Sequence, residues 1–441
     1  MTPSDLIGAL RSSAPYVHAH NGRIFVVCFG GEAALRADFD SLLYDLALLH
    51  SLGVKLVLVH GVRPQIDAQL KSRGLEPKFI NDLRVTDSAA LDCVKAAVGG
   101  LRMEIEAKLS TSLASTPMGG ARLKVASGNW ITARPVGVRE GVDHQHTGEV
   151  RRADAATIHE VLKEGRVVLL SPIGYSPTGE IFNLRAEDVA TATATALSAD
   201  KLIFITPSDP MTWTLAGGAG DAGQISLAEA KRLLTAEPSK LNAIDRIYVQ
   251  AAIAGARGGV KRVHLIGQEG EGLLLRELYT RDGAGLLIYA DDSYDVTRDA
   301  TIDDVGGILQ LIQPLEKSGV LVPRSRDQLE NEIGNFMVMV RDGMVIACCA
   351  LMPFNESQTG ELACVAVHPA YRGSGRAALL LVRAEQAARR MGLKKLFSLT
   401  THTPHWFIER GFVQAQLDDL PQQRQQLYNY QRNSLVLVKD L

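Results

Sequence analysis

Short, uninterrupted apolar runs alternate with helical stretches over the first two thirds of the chain. One run spans residues 23–29 and ends at Gly30-Gly31, and another spans residues 54–60 and ends at Gly61. Between them, residues 39–52 carry apolar side chains at helical spacing. Such runs are typical of parallel strands that helices cover on both faces. The pattern predicts an α/β domain, an open αβα sandwich, and its further strands are expected at residues 167–170, 202–205, 263–266 and 286–289.

The pattern changes after a short polar break at residues 291–293. Residues 301–315 are predicted to form a helix with Thr301 as its N-cap. Two apolar runs then flank Asp342-Gly343, which is a strong hairpin signal. We therefore predict two domains, residues 1–290 and residues 291–441, of which the second is a smaller α+β domain.

Composition and charge exclude several classes of function. A formal net charge of −2 offers no electrostatic basis for binding nucleic acid or an anionic membrane. The five cysteines are odd in number and lack metal-ligand spacing, which favours a reduced setting and no metal. The sequence shows no secretory signal and no apolar run long enough for a membrane helix. These features predict a soluble cytoplasmic protein.

Residues 372–377, Arg-Gly-Ser-Gly-Arg-Ala, form a glycine-rich loop between a predicted strand and a predicted helix. Backbone amides at a helix N-terminus bind anions, and small residues let the anion come close. Arg372 and Arg376 would add cationic donors. The loop therefore suits a pyrophosphate, and an ordinary glycine-rich turn is the alternative.

Two segments resemble the GNAT acetyltransferase superfamily. The family's loop pattern is Arg/Gln-x-x-Gly-x-Gly/Ala, and Arg372, Gly375 and Ala377 match it. Residues 406–412 resemble the family's late Tyr-x-x-x-Gly-Phe segment, with Phe407 where a tyrosine is common. The resemblance covers residues 296–441 and implies acetyl-CoA as the co-substrate. It implies that the cofactor is held by residues of the strand and loop: Val365, Val367, Arg372, Gly373, Gly375, Arg376 and Ala377.

A wider resemblance covers almost the whole chain. Residues 324–326, 361–367, 396–401 and 430–434 are similar to segments of the bacterial N-acetylglutamate synthases. In that family an amino-acid-kinase-like domain precedes a GNAT domain, which is also the order predicted here. The resemblance implies acetyl transfer from acetyl-CoA to L-glutamate, the first step of arginine biosynthesis.

That reaction requires a base for the amine, polarisation of the thioester carbonyl and a proton for the leaving thiolate. Glu361 is the candidate base, acting through a water, unless it only solvates a strand end. Amides around Cys364 and Val365 are candidates to hold the thioester oxygen. The Cys364 thiol itself is expected to be a buried packing group rather than a nucleophile. The resemblance implies a hydroxyl near the leaving sulfur at Thr400.

The two carboxylates of glutamate call for two cationic partners. Arg324 and Arg432 supply planar forks suited to bidentate recognition, and the segment of Arg432 also contributes Ser434. Alternatively, Arg324 is a surface residue and the neighbouring Arg326 takes the role.

The first domain resembles acetylglutamate kinase at residues 25–31, 59–66 and 183–187. It departs from those kinases where phosphoryl transfer needs lysines and open glycine turns. Cys28 stands where they keep a lysine, Val62-Arg63 replace two glycines, and Tyr248 stands where a second lysine is expected. We therefore predict that phosphotransfer is lost.

Residues 264–266 and 277–285 resemble the arginine-binding signature of arginine-sensitive members of both families. The Glu277 carboxylate and glycine-bounded carbonyls suit a guanidinium, although a simple turn before the strand at residue 286 is the alternative. The resemblance implies feedback inhibition by L-arginine and a homo-oligomer, a hexamer in that family. The implied arginine site comprises Tyr16, His264, Glu277, Gly283 and Gly285.

Two other functions remain open at this point. One is a bifunctional synthase and acetylglutamate kinase, which would consume ATP with N-acetylglutamate. The other is a non-catalytic arginine sensor with a vestigial acetyltransferase fold.

Overall fold

The computed structural model describes residues 3–80, 82–110, 123–213, 223–236, 241–280, 283–289, 295–341, 343–372, 375–401, 403–426, 428 and 434–441. The chain divides into two compact units, Met1–Asp292 and Ser293–Leu441. Each unit has its own sheets and its own hydrophobic core.

Unit 1 is built from sixteen described strands and ten described α-helices. The strands are β1 (Ile24–Phe29), β2 (Lys55–His60), β3 (Phe79–Ile80), β4 (Leu83–Arg84), β5 (Val125–Ala126), β6 (Ile131–Pro135), β7 (Val138–Arg139), β8 (Val142–Asp143), β9 (Gly148–Ala153), β10 (Val167–Leu170), β11 (Ile173–Tyr175), β12 (Ile181–Asn183), β13 (Lys201–Thr206), β14 (Gln224–Ser226), β15 (Arg262–Gly267) and β16 (Leu286–Tyr289). The helices are α1 (Pro3–His20), α2 (Gly31–Ala34), α3 (Phe39–Ser51), α4 (Arg63–Ser72), α5 (Ser88–Ser110), α6 (Ala155–Lys163), α7 (Ala186–Ala196), α8 (Leu227–Thr235), α9 (Ala243–Arg257) and α10 (Leu273–Tyr279).

The main sheet of unit 1 has the strand order β14-β16-β15-β13-β1-β2-β10-β5. Its two faces form two separate cores: Val26 packs with residues of α7 and α9, whereas its neighbour Val27 packs with residues of α3 and α5. Helices therefore cover both faces, as the apolar runs predict. A second sheet, β12-β11-β6-β9, belongs to the same unit.

One strand of this sheet runs against the prediction. Strand β16 is antiparallel to β15, with Leu265 opposite Leu286. Burial on both faces produces the continuous apolar run, and strand direction does not change that pattern. The expectation that the strand at residues 286–289 runs parallel to the preceding strands is therefore wrong: it is antiparallel to β15 and parallel to the edge strand β14, while the strand itself is confirmed.

Unit 2 is a seven-stranded sheet with helices on both faces. Its strands are β17 (Val296–Asp299), β18 (Phe336–Arg341), β19 (Met344–Phe354), β20 (Thr359–Val367), β21 (Lys395–Thr400), β22 (Val413–Ala415) and β23 (Leu435–Asp440), in the order β17-β18-β19-β20-β21-β23-β22. Its helices are α11 (Val305–Lys317), α12 (Arg326–Glu332), α13 (Arg376–Arg390), α14 (Pro404–Ile408) and α15 (Gln422–Gln425). Short 3₁₀ turns complete the two units: Pro210–Trp213, Ile302–Asp304, Ile333–Asn335, Asn355–Ser357, Pro369–Tyr371 and Leu417–Asp419.

The hairpin predicted at Asp342-Gly343 is formed by the antiparallel strands β18 and β19. Gly343 has a φ of 80°, in the left-handed region that favours glycine, and Asp342 lies outside the described residues. The helix predicted from residue 301 starts as a 3₁₀ turn, in which Thr301 and Asp304 form a capping box. The regular helix then begins at Val305.

Strand β20 separates from β21 partway along its length. The two strands pair in parallel only from Thr359 to Glu361. On its other side, β20 bulges against β19, since Ala350 faces Ala363 while Cys348 faces Ala366. A bulge bends its strand and re-aims the side chains around it. The bend opens a gap in the described sheet immediately after Glu361.

Candidate active site

The candidate base lies at the mouth of this gap. Glu361 is buried and is the last residue of β20 that pairs with β21. Its carboxylate receives a two-pronged contact from Arg424 on α15, from Nε to Oε2 at 2.7 Å and from Nη2 to Oε1 at 3.0 Å. Fork-to-fork geometry of this kind is among the strongest polar contacts in proteins. The carboxylate is thereby held in one orientation.

Cys364 occupies the bulge with a φ of 50°, unusual for a residue with a side chain. Its sulfur lies 2.6 Å from Nη1 of Arg324, which precedes α12. Burial raises the pKa of the Cys364 thiol to about 11, although the Arg324 guanidinium acts in the opposite direction. A thiol with that pKa stays protonated at neutral pH, and this geometry supports a packing role rather than nucleophilic attack. Arg324, from the segment before α12, therefore contacts the strand that carries Glu361.

Two other predicted residues lie at the far end of β21. Thr400 is its last residue, and its hydroxyl accepts the backbone N–H of Thr403 at 3.2 Å. Thr400 pairs with Leu435, so Ser434 stands beside it at the start of β23. The carbonyl of Ser434 accepts the Tyr428 hydroxyl at 2.7 Å. Arg432, the second predicted carboxylate partner, lies outside the described residues.

The glycine-rich loop leads from β20 into α13. Gly375 is the N-cap of α13 and has a φ of 77°, a backbone conformation that favours glycine. The first turn of α13, with Ala377 in it, presents backbone N–H groups that lack partners within the helix. Arg372 is exposed, and its Nε donates to the carbonyl of Val367 at 3.2 Å. Gly373 lies outside the described residues.

Arg376 departs from the prediction that its side chain adds a cationic donor to the loop. Its guanidinium is buried, donating from Nε to Asp295 Oδ2 at 2.7 Å and from Nη1 to the Tyr371 carbonyl at 3.0 Å. The side chain is therefore directed into the unit by its acidic partner.

The predicted arginine-binding residues of unit 1 surround a buried carboxylate. Glu277 Oε1 lies 2.6 Å from His264 Nδ1, and Oε2 accepts the N–H groups of Ala284 and Gly285 at 2.7 and 2.8 Å. Burial acts to raise the pKa of Glu277, but the contacts with His264 and the two amides prevail and lower it to about 2. Glu277 is therefore ionised, and its hydrogen bonds hold the backbone of Ala284 and Gly285 close to His264 on β15.

His264 completes this arrangement as a neutral ring. Burial, together with the nearby Lys201 ammonium, lowers the pKa of His264. Its Nε2 lies 3.2 Å from Lys201 Nζ, which can only donate, so Nδ1 carries the proton toward Glu277. Tyr16 reaches the same region through His20, whose ring centroid lies 5.3 Å from that of Tyr279 at the end of α10.

Comparisons with known proteins decide the family. The amino acid kinase family model matches residues 23–266, and the acetyltransferase (GNAT) family model matches residues 308–412. An amino-acid acetyltransferase of Pseudomonas syringae pv. syringae is 49% identical over 436 residues, covering 99% of each chain. One from Pseudomonas putida is 50% identical over 441 residues, covering 99% of this chain and 100% of its own. The chain belongs to the amino-acid acetyltransferase family.

A solved structure supports the same assignment for this acetyltransferase. N-acetylglutamate synthase from Neisseria gonorrhoeae, complexed with coenzyme A and L-arginine, matches with a TM-score of 0.85 and 35% identity over 99% of both chains. The same enzyme complexed with coenzyme A and N-acetyl-glutamate matches with a TM-score of 0.61. The resemblance to bacterial N-acetylglutamate synthases and the predicted fold class are confirmed: an amino-acid-kinase-like unit precedes a GNAT unit. The protein is an acyltransferase.

Arg424 contacts the candidate base Glu361 but is absent from the site residues predicted from the sequence. It lies 63 residues after Glu361, on a four-residue helix with no motif around it. The only available signal was its position shortly before the segment that carries Arg432 and Ser434.

The kinase-like unit of the acetyltransferase encloses a cavity of about 250 Å³ where the glycine turns meet. Gly30 and Gly61 approach so closely that a Cβ on Gly61 would lie 3.0 Å from the Gly30 Cα. The side chains of Arg63 and Tyr248 line the space, and Cys28 is fully buried in β1. These are the three positions at which the sequence predicts that phosphotransfer is lost.

Two classes of feature are absent from the described residues. No group of three or more histidine, cysteine, aspartate or glutamate side chains there could hold a metal ion. None of the described helices is long and apolar enough to cross a membrane.

Proposed function

We propose that this acetyltransferase moves the acetyl group of acetyl-CoA onto the α-amine of L-glutamate. The observation that carries the proposal is the buried Glu361 carboxylate at the point where β20 and β21 separate, with the Arg424 guanidinium on it and the Arg324 guanidinium on Cys364 of the same strand. A site with one carboxylate and several guanidinium groups suits an acceptor that brings both an amine and carboxylates.

The chemical steps follow from this arrangement. Glu361, through a water, takes a proton from the ammonium of glutamate, and the free amine attacks the thioester carbonyl. Beyond Glu361, the edge of β20 that faces the gap has no ladder partner in the described sheet, so its backbone groups can hold the thioester oxygen. The attack forms a tetrahedral adduct with a positively charged nitrogen, and the C–S bond breaks as this adduct collapses to the amide. The proton that the nitrogen loses in this step passes, by way of the Thr400 hydroxyl, to the leaving thiolate. The first turn of α13 binds the pyrophosphate of the cofactor.

The guanidinium groups of the candidate site suit an acceptor with two carboxylates. Arg424 contacts Glu361 and Arg324 contacts Cys364, so two planar cationic groups are available to match the two carboxylates of glutamate. Arg432 is added on the family resemblance alone and lies outside the described residues. Arg324 also lies 3.9 Å from the half-exposed Glu332, a loose contact that a substrate carboxylate can replace. A substrate carboxylate likewise offers Arg424 a second acceptor, which frees Glu361 to act as the base.

We further propose that unit 1 binds L-arginine and that binding lowers the rate of acetyl transfer. Such coupling between two sites typically amounts to about 1 to 3 kcal/mol. Both oxygens of Glu277 are engaged internally, so its role is to hold the 283–285 backbone in place for the ligand. A homo-oligomer, a hexamer as the family resemblance implies, is proposed as the assembly through which the coupling acts.

Replacing Glu277 with alanine is expected to abolish inhibition by arginine while leaving turnover without arginine near that of the wild type. The loop at residues 283–285 loses the acceptor for two amides, and His264 loses its partner. The measurement is the initial rate as a function of arginine concentration. The control is Glu269→Ala, because Glu269 is exposed and belongs to the same unit. An unchanged arginine response in Glu277→Ala would remove this carboxylate from the regulatory site.

A further inference from the structure

The first described residue of unit 2 is tied to the cofactor loop. Asp295 is largely buried, and its two oxygens accept Nε of Arg341 and Nε of Arg376, each at 2.7 Å. Both guanidinium groups also lie over the Tyr371 ring, 5.1 and 5.4 Å from its centroid. The Asp295 carboxylate thus links the end of β18 to the start of α13. The two guanidinium groups that it binds both contact Tyr371, just before the glycine-rich loop.

The Arg376 guanidinium connects the residues on either side of the glycine-rich loop. Arg376 is the first residue of α13, and its Nη1 donates back to the carbonyl of Tyr371 at 3.0 Å. This contact joins the first residue of α13 to the residue just before the glycine-rich loop. The direction of that side chain is set by Asp295, because the shared carboxylate fixes its Nε.

A second ion pair also joins the first residues of unit 2 to α13, but it is far more exposed to solvent. Asp299, at the end of β17, accepts Nη2 of Arg383 at 2.9 Å, two turns along α13 from Arg376. The Asp299 side chain is 75% exposed, whereas that of Asp295 is 14% exposed. Exposed ion pairs contribute little to stability. Asp295, rather than Asp299, is therefore expected to fix the position of α13.

We propose that Asp295 is a positioning residue for the cofactor, a role that rests on the proposed acetyl-CoA site. By orienting Arg376, it sets the position, relative to Tyr371, of the first turn of α13, whose backbone N–H groups are proposed to bind the pyrophosphate.

Positioning and simple electrostatics predict opposite results for Asp295→Asn. Removing a negative charge near the loop would, by Coulomb attraction alone, tighten the binding of an anionic cofactor. Loss of positioning instead weakens it, because the amide cannot accept from both guanidinium groups and Arg376 turns away from Tyr371. The full-length variant is expected to bind CoA about tenfold or more weakly, as for a lost charge-assisted contact.

The experiment is calorimetric titration of the full-length protein with CoA, together with separate KM values for acetyl-CoA and glutamate. In Asp295→Asn, the CoA Kd and the acetyl-CoA KM should rise together while the glutamate KM stays within about twofold. The matched control, Asp299→Asn, should leave all three values unchanged. Unchanged or tighter CoA binding by Asp295→Asn, or an equal rise in both KM values, would overturn the proposal.

A second variant covers the case in which Asp295→Asn does not fold. Arg376→Lys keeps the positive charge beside Asp295 but cannot fork between that carboxylate and the Tyr371 carbonyl. It should show the same selective loss of CoA binding, and wild-type affinity in this variant would contradict the role of the fork. If the wild-type protein itself does not bind CoA, the proposed function fails; if it does and the variants bind equally, only this inference fails.

Discussion

Glu361→Gln is expected to lower kcat by roughly 10² to 10⁴, the contribution typical of general acid–base catalysis. Glutamine keeps the shape of the side chain but has no carboxylate to take the proton of the substrate ammonium. The glutamate KM should change far less than kcat, because glutamine still offers Arg424 an oxygen acceptor and the guanidinium stays in the site. Steady-state kinetics with varied glutamate at saturating acetyl-CoA measure both quantities.

The control for this variant is Glu356→Gln. Glu356 is an exposed carboxylate in the connection between β19 and β20, close to the site in sequence but turned to solvent. Its replacement should leave kcat within about twofold. A Glu361→Gln enzyme with near-normal kcat would show that another group is the base, and Glu361 would then be a structural partner of Arg424.

Arg324→Ala should raise the KM for glutamate by about 10- to 100-fold, with a smaller effect on kcat. A hydrogen bond to a charged group contributes about 1.5 to 3 kcal/mol, and each 1.4 kcal/mol is a factor of ten in binding. Arg324 is positioned for such a contact because its guanidinium lies against Cys364, which follows Glu361 on the same strand, β20. Initial rates with varied glutamate provide the measurement.

The neighbouring Arg326 provides a matched control for the Arg324 variant. Its side chain is 74% exposed and pairs with Glu330 within α12. Arg326→Ala should leave the glutamate KM unchanged, which would also remove Arg326 as the competing candidate. A rise in KM for Arg326→Ala without one for Arg324→Ala would reverse the assignment.

The architecture was largely predictable because it follows from burial patterns that any sequence displays. Apolar runs predict strands covered on both faces, and Asp342-Gly343 predicts the hairpin of β18 and β19. The direction of β16 was not predictable, since an antiparallel strand covered on both faces gives the same apolar run. Long-range pairing, not local composition, decides it.

The candidate site was predictable only where local motifs mark it. Glu361 and the glycine-rich loop belong to recognisable segments, but the partners of their side chains come from distant positions. Arg424 reaches Glu361 across 63 residues, and Asp295 turns the Arg376 guanidinium inward across 81 residues. The Glu277 carboxylate was expected to face a ligand, yet two backbone amides and His264 occupy it. Such tertiary contacts leave no signal in the local sequence.

The most direct test of the proposed activity is an assay of CoA thiol release from acetyl-CoA with each of the twenty amino acids offered separately. The proposed function predicts rapid release with L-glutamate and little above background with the other amino acids. Aspartate is the closest competitor, because it has both carboxylates but is one methylene shorter. Equal rates with aspartate or with lysine would contradict glutamate as the acceptor.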